Sequence, residues 1–270
     1  MDKRLLEDGK NRTLVTFIWV PEWQVTVMLK VEYEEMTPQE FAEAVGKMPV
    51  FIVPTGLLEW HGDHLPLGQD ALKAYGICLR VAKGLGGGIV LPPNYWGRPG
   101  FSTYVGTLTF SDGLIRSLFW ELFEQLRKVG AKVILVVTGH YGPTQVNCLK
   151  GIAEEFNKCY PEVYVIATPE YEGVTVDGEV PADHAGKWET SMFWYMYPKL
   201  VQVDEFRTGK VGVATYTNPP QNLYRESPIW EWKEDLKKTA SPELGEKAVN
   251  LIVDHLVSVV KERLSQMEKR

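Results

Sequence analysis

The feature that most limits what this chain can fold into is its alternation of short, almost wholly apolar segments with helical ones. Residues 49–56 (PVFIVPTG), 88–92 (GIVLP), 132–138 (KVILVVT) and 162–168 (EVYVIAT) read as strands. They are nearly continuous Val, Ile and Leu, the pattern of strands covered on both faces. Helices are expected between and after them at 70–83, from Ser111 to Val129, at 143–158 and at about 184–197. That order predicts a three-layer α/β/α sandwich around a mainly parallel central sheet. Ahead of it, Thr37-Pro38-Gln39-Glu40 reads as a capping box opening a helix to about Lys47. Behind it, a helix over 241–268 starts at Ser241-Pro242 and carries one apolar face through Val249, Ile252, Val253, Leu256 and Val260. Residues 13–20 and 24–33, broken at Pro21-Glu22, lie outside the alternation and predict a β-hairpin arm, added to the sheet edge or lent to a neighbouring subunit. With no repeat or linker, residues 1–270 read as one domain carrying this arm at 1–34.

Composition narrows the partners. A net charge of −6 and the absence of a basic run argue against nucleic acid and anionic membrane surfaces. Cys78, Cys148 and Cys159 form no CxxC pair, which predicts buried free thiols in a reducing compartment. The opening MDKRLLEDGKNR lacks an apolar signal core and no apolar run approaches a membrane span, so a cytoplasmic location is expected.

The chemistry lies with the histidines. His255 sits in the amphipathic last helix and reads as structural, whereas His61, His64, His140 and His184 fall at strand ends or just before helices. Open parallel sheets bind ligands at the carboxyl ends of their strands, where His61 and His140 are expected. In EWHGDHLPLGQD, Glu59 and His61 are two apart and point the same way if extended. Gly62, Pro66 and Gly68 let the loop return to Asp70 at the next helix start. Glu189 follows His184 in DHAGKWETS. Glu59, His61, Asp70, His140 and Glu189 supply two imidazoles and three carboxylates, a set that suits Zn²⁺, Mn²⁺ or Fe²⁺. One ion could bind, or two about 3.5–4 Å apart if one carboxylate bridges. Each segment alone has a plainer reading: a surface Glu-x-His pair, a tight Gly-His-Tyr-Gly turn, or a capped helix start. Their joint occurrence in order, each at a strand–helix junction, favours the metal centre.

Together these segments resemble the creatininase (creatinine amidohydrolase) family. PTGLLEWHGDHLPLGQD is similar to its P-x-G-x-x-E-x-H-G-x-H-L-P-x-x-x-D signature, TGHYG to its G-H-x-G element, HAGKWETS to its H-A-G-x-x-E-T-S element and YVGTLTF to its P-G-T stretch. The resemblance implies an α/β/α fold and metal-dependent hydrolysis of small, polar, often cyclic substrates. It makes Glu59, His61, Asp70, His140 and Glu189 the ligands, with Asp70 bridging, makes His184 the proton-transfer residue, and suggests a homo-oligomer, for which Trp19 and Trp23 offer aromatic surface. Departures bear on substrate. Gly142 stands where creatininase has a metal-binding glutamate, Pro143 where many members have asparagine, and Val105 where the family has proline. Val180 and Pro181 occupy the region of creatininase's substrate-closing tryptophan, so an aromatic lid would come from Trp96, Tyr95 or Tyr141.

The expected reaction is attack of metal-activated water on a carbonyl of a small cyclic or formyl amide other than creatinine, cleaving C–N. Tyr141, Gly142 and the backbone N–H groups around them would meet the substrate, and His184 would protonate the leaving atom. Asp183 or a carbonyl would orient His184, while His64 would hold a ligand carboxylate. A second reading is C–C hydrolysis of a cyclic diketone, such as an oxidised inositol in carbohydrate catabolism. A remote third is a non-catalytic metal-binding protein.

Overall fold

The structure, a computed structural model, describes residues 30–215 and 228–269. The N-terminal hairpin expected over 13–33 lies almost wholly outside the described residues, as do Trp19 and Trp23.

Helix α1 (Pro38–Lys47) opens on the anticipated capping box: Thr37 accepts from the Glu40 N–H, and Glu40 accepts from the Thr37 N–H. The alternation then follows as β1 (Val50–Thr55), α2 (Gln69–Leu85), β2 (Ile89–Val90), α3 (Asp112–Lys128), β3 (Val133–Thr138), α4 (Pro143–Cys159), β4 (Tyr164–Pro169) and α5 (Lys187–Met196). Strand β2 is shorter than expected, ending before Pro92-Pro93, which cannot donate to a ladder. Helix α5 starts at Lys187 rather than near 184, because Ala185 adopts a left-handed φ of 51° and Gly186 is extended.

The four strands are parallel, in the order β2-β1-β3-β4. Alternate residues serve the two outer layers. Val50, Ile52, Val133, Leu135 and Val137 pack with α2, α5 and the last helix, α7 (Pro242–Glu268). Phe51, Val53, Ile134 and Val136 pack with Phe119 and Phe123 of α3 and Leu149, Ile152 and Phe156 of α4. This is the three-layer sandwich, with each such side chain contributing about 1.5–3 kcal/mol by burial. Cys78 is buried as expected, Cys148 is half-buried, and Cys159 is exposed at the end of α4, correcting the expectation of three buried thiols. No helix among the described residues is long and apolar enough to cross a membrane.

The strand order has a direct consequence. The chain leaves β1 in one direction to β2, then returns past β1 to β3, so the carboxyl ends of β1 and β3 flank the point where the winding reverses. Two glycines let the start of α2 sit there: a Cβ on Gly56 would lie 2.3 Å from the Ala71 nitrogen, and one on Gly139 2.1 Å from the Asp70 oxygen. A small antiparallel ribbon, β5 (Gly209–Gly212) with β6 (Ile229–Trp232), and the short α6 (Leu236–Thr239) precede α7; the sequence reading did not anticipate them.

Candidate metal centre

Four chain segments deliver side chains to the β1–β3 crevice. The loop after β1 brings Glu59 and His61, the first turn of α2 brings Asp70, the loop after β3 brings His140, and the first turn of α5 brings Glu189; all five are buried. Asp70 is the hinge of the arrangement. Its Oδ1 lies 3.0 Å from His61 Nε2 and its Oδ2 3.2 Å from His140 Nδ1. Glu59 Oε2 is 3.0 Å from His140 Nδ1, and Glu189 Oε2 is 3.5 Å from His61 Nε2. Two overlapping triads result, Glu59–Asp70–His140 and His61–Asp70–Glu189, each with donor atoms within 4.8 Å of one another.

Second contacts aim these atoms. His61 Nδ1 donates to the Glu59 carbonyl at 3.0 Å, which turns Nε2 toward the carboxylates. Glu59 Oε1 accepts from the Phe101 N–H at 3.0 Å, leaving Oε2 toward the centre. Yet Glu59 Oε2, both Asp70 oxygens, His61 Nε2 and His140 Nε2 are buried without a well-directed hydrogen-bond partner. Buried polar atoms are rarely left so, and a cluster of inward-facing imidazole and carboxylate atoms fits a divalent ion. Without one, the cluster is held together by protons. Burial alone would lower the His61 and His140 pKa values, but the facing carboxylates carry them to about 9 and about 10. The same imidazoles hold Glu59 and Asp70 low against the effect of burial.

His184 stands beside this cluster, with Glu59 and His61 in reach. Its Nε2 donates to the Trp60 carbonyl at 2.9 Å, so Nδ1 is left as the acceptor. Burial, and then the charge of His61, push its pKa down to about 4. The orienting group is thus the carbonyl. Asp183 instead accepts from the N–H groups of Trp188 and Glu189, tying down the start of α5, and burial followed by repulsion from Glu189 raises its pKa to about 6. His64 does not hold a ligand carboxylate, contrary to expectation. Its Nε2 lies 3.2 Å from the Ala185 carbonyl and 3.0 Å from Thr190 Oγ1, joining the β1 loop to α5.

Tyr141 is also placed differently from expectation. The Tyr141 hydroxyl donates to Glu170 at 2.6 Å and accepts from Lys73 at 2.6 Å, so it points into the protein. A Cβ on Gly142 would lie 2.3 Å from His140 Nε2, so a side chain there would displace His140. The aromatic wall comes from none of Trp96, Tyr95 or Tyr141. Phe101 packs on His184 with ring centroids 4.4 Å apart, and Trp230 of β6 packs on it at 5.3 Å. Trp60 and Trp232 complete the wall through contacts with Trp230. Thr107, in the YVGTLTF segment, supports it by accepting from the Trp60 N–H. A cavity of about 460 Å³ opens beside His184, between Asp183, Lys187, Trp230 and Trp232. Its lining includes His184 but not Glu59, Asp70 or Glu189.

Sequence reasoning missed Lys73 and Glu170, both fully buried. The Lys73 ammonium lies 2.8 Å from Glu189 Oε1 and 2.9 Å from Glu170 Oε1. Lys73 comes three residues after Asp70 on α2, hence on the same helix face, and this spacing was the available signal.

The fold is a parallel α/β/α sandwich that gathers buried imidazoles and carboxylates, groups that could hold a metal ion, where its winding reverses. Comparison with known proteins gives the particular family. Residues 34–260 match the family described as "Creatininase: Creatinine amidohydrolase", and the chain belongs to this family. A creatinine amidohydrolase of Pseudomonas putida is 24% identical over 253 residues, covering 84% of this chain and 95% of that protein. A mycofactocin precursor peptide peptidase of Mycobacterium ulcerans is 27% identical over 171 residues, 60% of this chain and 64% of that protein. Among solved structures, a Trp-to-Phe mutant creatininase superposes with a TM-score of 0.67 at 23% identity, covering 86% of this chain and 98% of that one. A structure described as "Creatininase Mn" gives 0.65 at 21% identity, and a "Zn-Zn type" mutant creatininase 0.63 at 23%, each with the same coverage.

Proposed function

We propose that the chain is a metal-dependent hydrolase that opens a small polar amide, cyclic or formyl, at its carbonyl. Glu59, His61, Asp70, His140 and Glu189 would hold one or two divalent ions, Mn²⁺, Zn²⁺ or Fe²⁺, and His184 would carry the proton. The observation that supports this most is Asp70, whose two carboxylate oxygens face two different imidazoles and lack directed hydrogen bonds. A divalent ion in such a site lowers the pKa of water and polarises a carbonyl. Creatininases described as Mn and Zn–Zn forms share this fold.

The remaining work falls to the chain's own residues. His184 is held neutral at pH 7, with Nε2–H fixed on the Trp60 carbonyl, so Nδ1 is free to take a proton from water. It then returns that proton to the leaving nitrogen, a role generally worth about 10²–10⁴-fold. Phe101 and Trp230 pack on the imidazole and give a flat substrate an apolar face. By the resemblance to creatininase, Gly142 stands where a metal-binding glutamate is expected, and a Cβ there would lie 2.3 Å from His140 Nε2, so His140 would have to shift to admit one. The preferred substrate is therefore an amide other than creatinine. The test is to load the chain with each ion in turn and assay creatinine, formamides, cyclic amides and keto-inositols. Chelator-sensitive release of an amine or amino acid from an amide is expected. Turnover of keto-inositols alone would replace C–N with C–C cleavage.

A further inference from the structure

Two hydrogen-bond donors in the aromatic wall lack an acceptor. Trp230 and Trp232 are two apart on β6, so their indoles share one face of the ribbon, with ring centroids 5.7 Å apart. Both indole nitrogens are buried and have no hydrogen-bond partner among the described residues. Trp232 as a whole is only 7% exposed. An indole N–H can donate and never accept, and buried donors are rarely left unpaired. Both rings line the cavity of about 460 Å³ beside His184, a size that takes an entire small ligand.

The place of this cavity says which part of a substrate would reach the two donors. It meets the proposed machinery at His184 and at none of Glu59, His61, Asp70, His140 and Glu189. His184 is the group that returns a proton to the leaving nitrogen, so what enters the cavity is the chain carried by that nitrogen. Charge then selects the acceptor. Besides His184, the ionisable side chains of the lining are Asp183, Glu231 and Glu234 against Lys187 and Lys233, and the Lys187 ammonium is already held by Glu179 at 2.7 Å. An anion would find no surplus of positive charge there, whereas a neutral carbonyl oxygen suits two neutral N–H donors.

We propose that the indole N–H groups of Trp230 and Trp232 form a subsite for a neutral carbonyl oxygen on the leaving group, so that the substrate is an amide whose nitrogen carries a second carbonyl on its chain. The inference rests on the hydrolase reading above and adds the second feature of the substrate and the residues that select it.

The test uses the full chain loaded with Zn²⁺ and three formamides of matched size: N-pentylformamide, N-formyl-β-alaninamide and N-formyl-β-alanine. Their chains carry nothing polar, a neutral carbonyl and a carboxylate respectively. The indole N–H resonances are followed by NMR on protein labelled with nitrogen-15 tryptophan, with Trp230→Phe and Trp232→Phe identifying the two signals. The alaninamide probe should move both signals downfield and saturate, N-pentylformamide should leave them nearly in place, and the carboxylate probe should bind more weakly than the amide. In turnover, Trp232→Phe keeps a ring and loses the donor, so kcat/KM for the alaninamide probe should fall about fivefold, and about thirtyfold in the double Trp230→Phe, Trp232→Phe variant. N-pentylformamide should change by less than about twofold in both. Indole signals that the alaninamide probe does not move would overturn the proposal, as would variants that weaken all three probes alike or tighter binding of the carboxylate. Should the double variant fail to fold, the wild-type titrations and Trp232→Phe still decide. Shifted indole signals with no formamide hydrolysed would sink the hydrolase reading and leave the carbonyl subsite standing; turnover of N-pentylformamide with unmoved indoles would sink the subsite alone.

Discussion

The floor of the site and its aromatic wall are built by opposite strategies. The floor consists of charged and imidazole groups seated within a few residues of strand and helix ends, where backbone geometry aims them before any side chain packs. The wall consists of Trp60, Phe101, Trp230 and Trp232, brought from three stretches of the chain and packed ring on ring. Rigid elements suit groups that must meet an ion within a fraction of an ångström, and a wall of packed rings can change without disturbing that geometry.

Disrupting the floor should have the largest effect. Asp70→Ala removes the carboxylate common to both triads, so bound metal should fall to background and turnover by about 10³-fold or more. Full metal content in that variant would remove Asp70 from the ligand set. His184→Ala comes next, with metal retained and turnover reduced by about 10²–10⁴-fold. Metal loss there would turn His184 into a ligand.

The floor also predicts a pH dependence. His61 and His140 have folded-state pKa values raised to about 9 and about 10 in the metal-free chain. Their contribution to stability is therefore fully present below about 6.5 and is lost as pH rises through 9 and 10. The melting temperature of chelator-treated protein should fall over that interval, and metal loading should abolish the fall because bound imidazoles carry no extra proton. A flat profile in the metal-free chain would mean the imidazoles are not protonated there.

The wall should give the smallest change. Trp230→Ala removes one ring from His184 and should raise KM by about two- to tenfold with metal content unchanged, and Trp230→Phe should restore most of it. An effect on kcat alone would mean that Trp230 positions His184 without contacting substrate.

Much of the floor was legible because its residues are local to the elements that carry them. Val-rich segments announced β1, β3 and β4, and the strand–helix junctions then placed Glu59, His61, Asp70 and His140 together. The roles of His64 and Asp183 were not legible, since each bonds to α5 through atoms whose position depends on Ala185 taking a left-handed turn. Lys73 looked like an ordinary polar position on α2 until Glu170, at the end of β4, and Glu189, at the start of α5, were seen on either side of it. The ribbon left a faint trace in the alternating WEW of 230–232, too short to stand out.

The sequence by itself determined the layered fold and most of the side chains gathered in the β1–β3 crevice, because hydrophobic periodicity and strand-end position are properties of a few neighbouring residues. Only the tertiary structure decided that a buried lysine sits on one ligand carboxylate, that a backbone carbonyl sets the His184 tautomer, and that a distant tryptophan covers that imidazole. These depend on which elements pack against which, and no local pattern encodes the distance between residues more than a hundred positions apart.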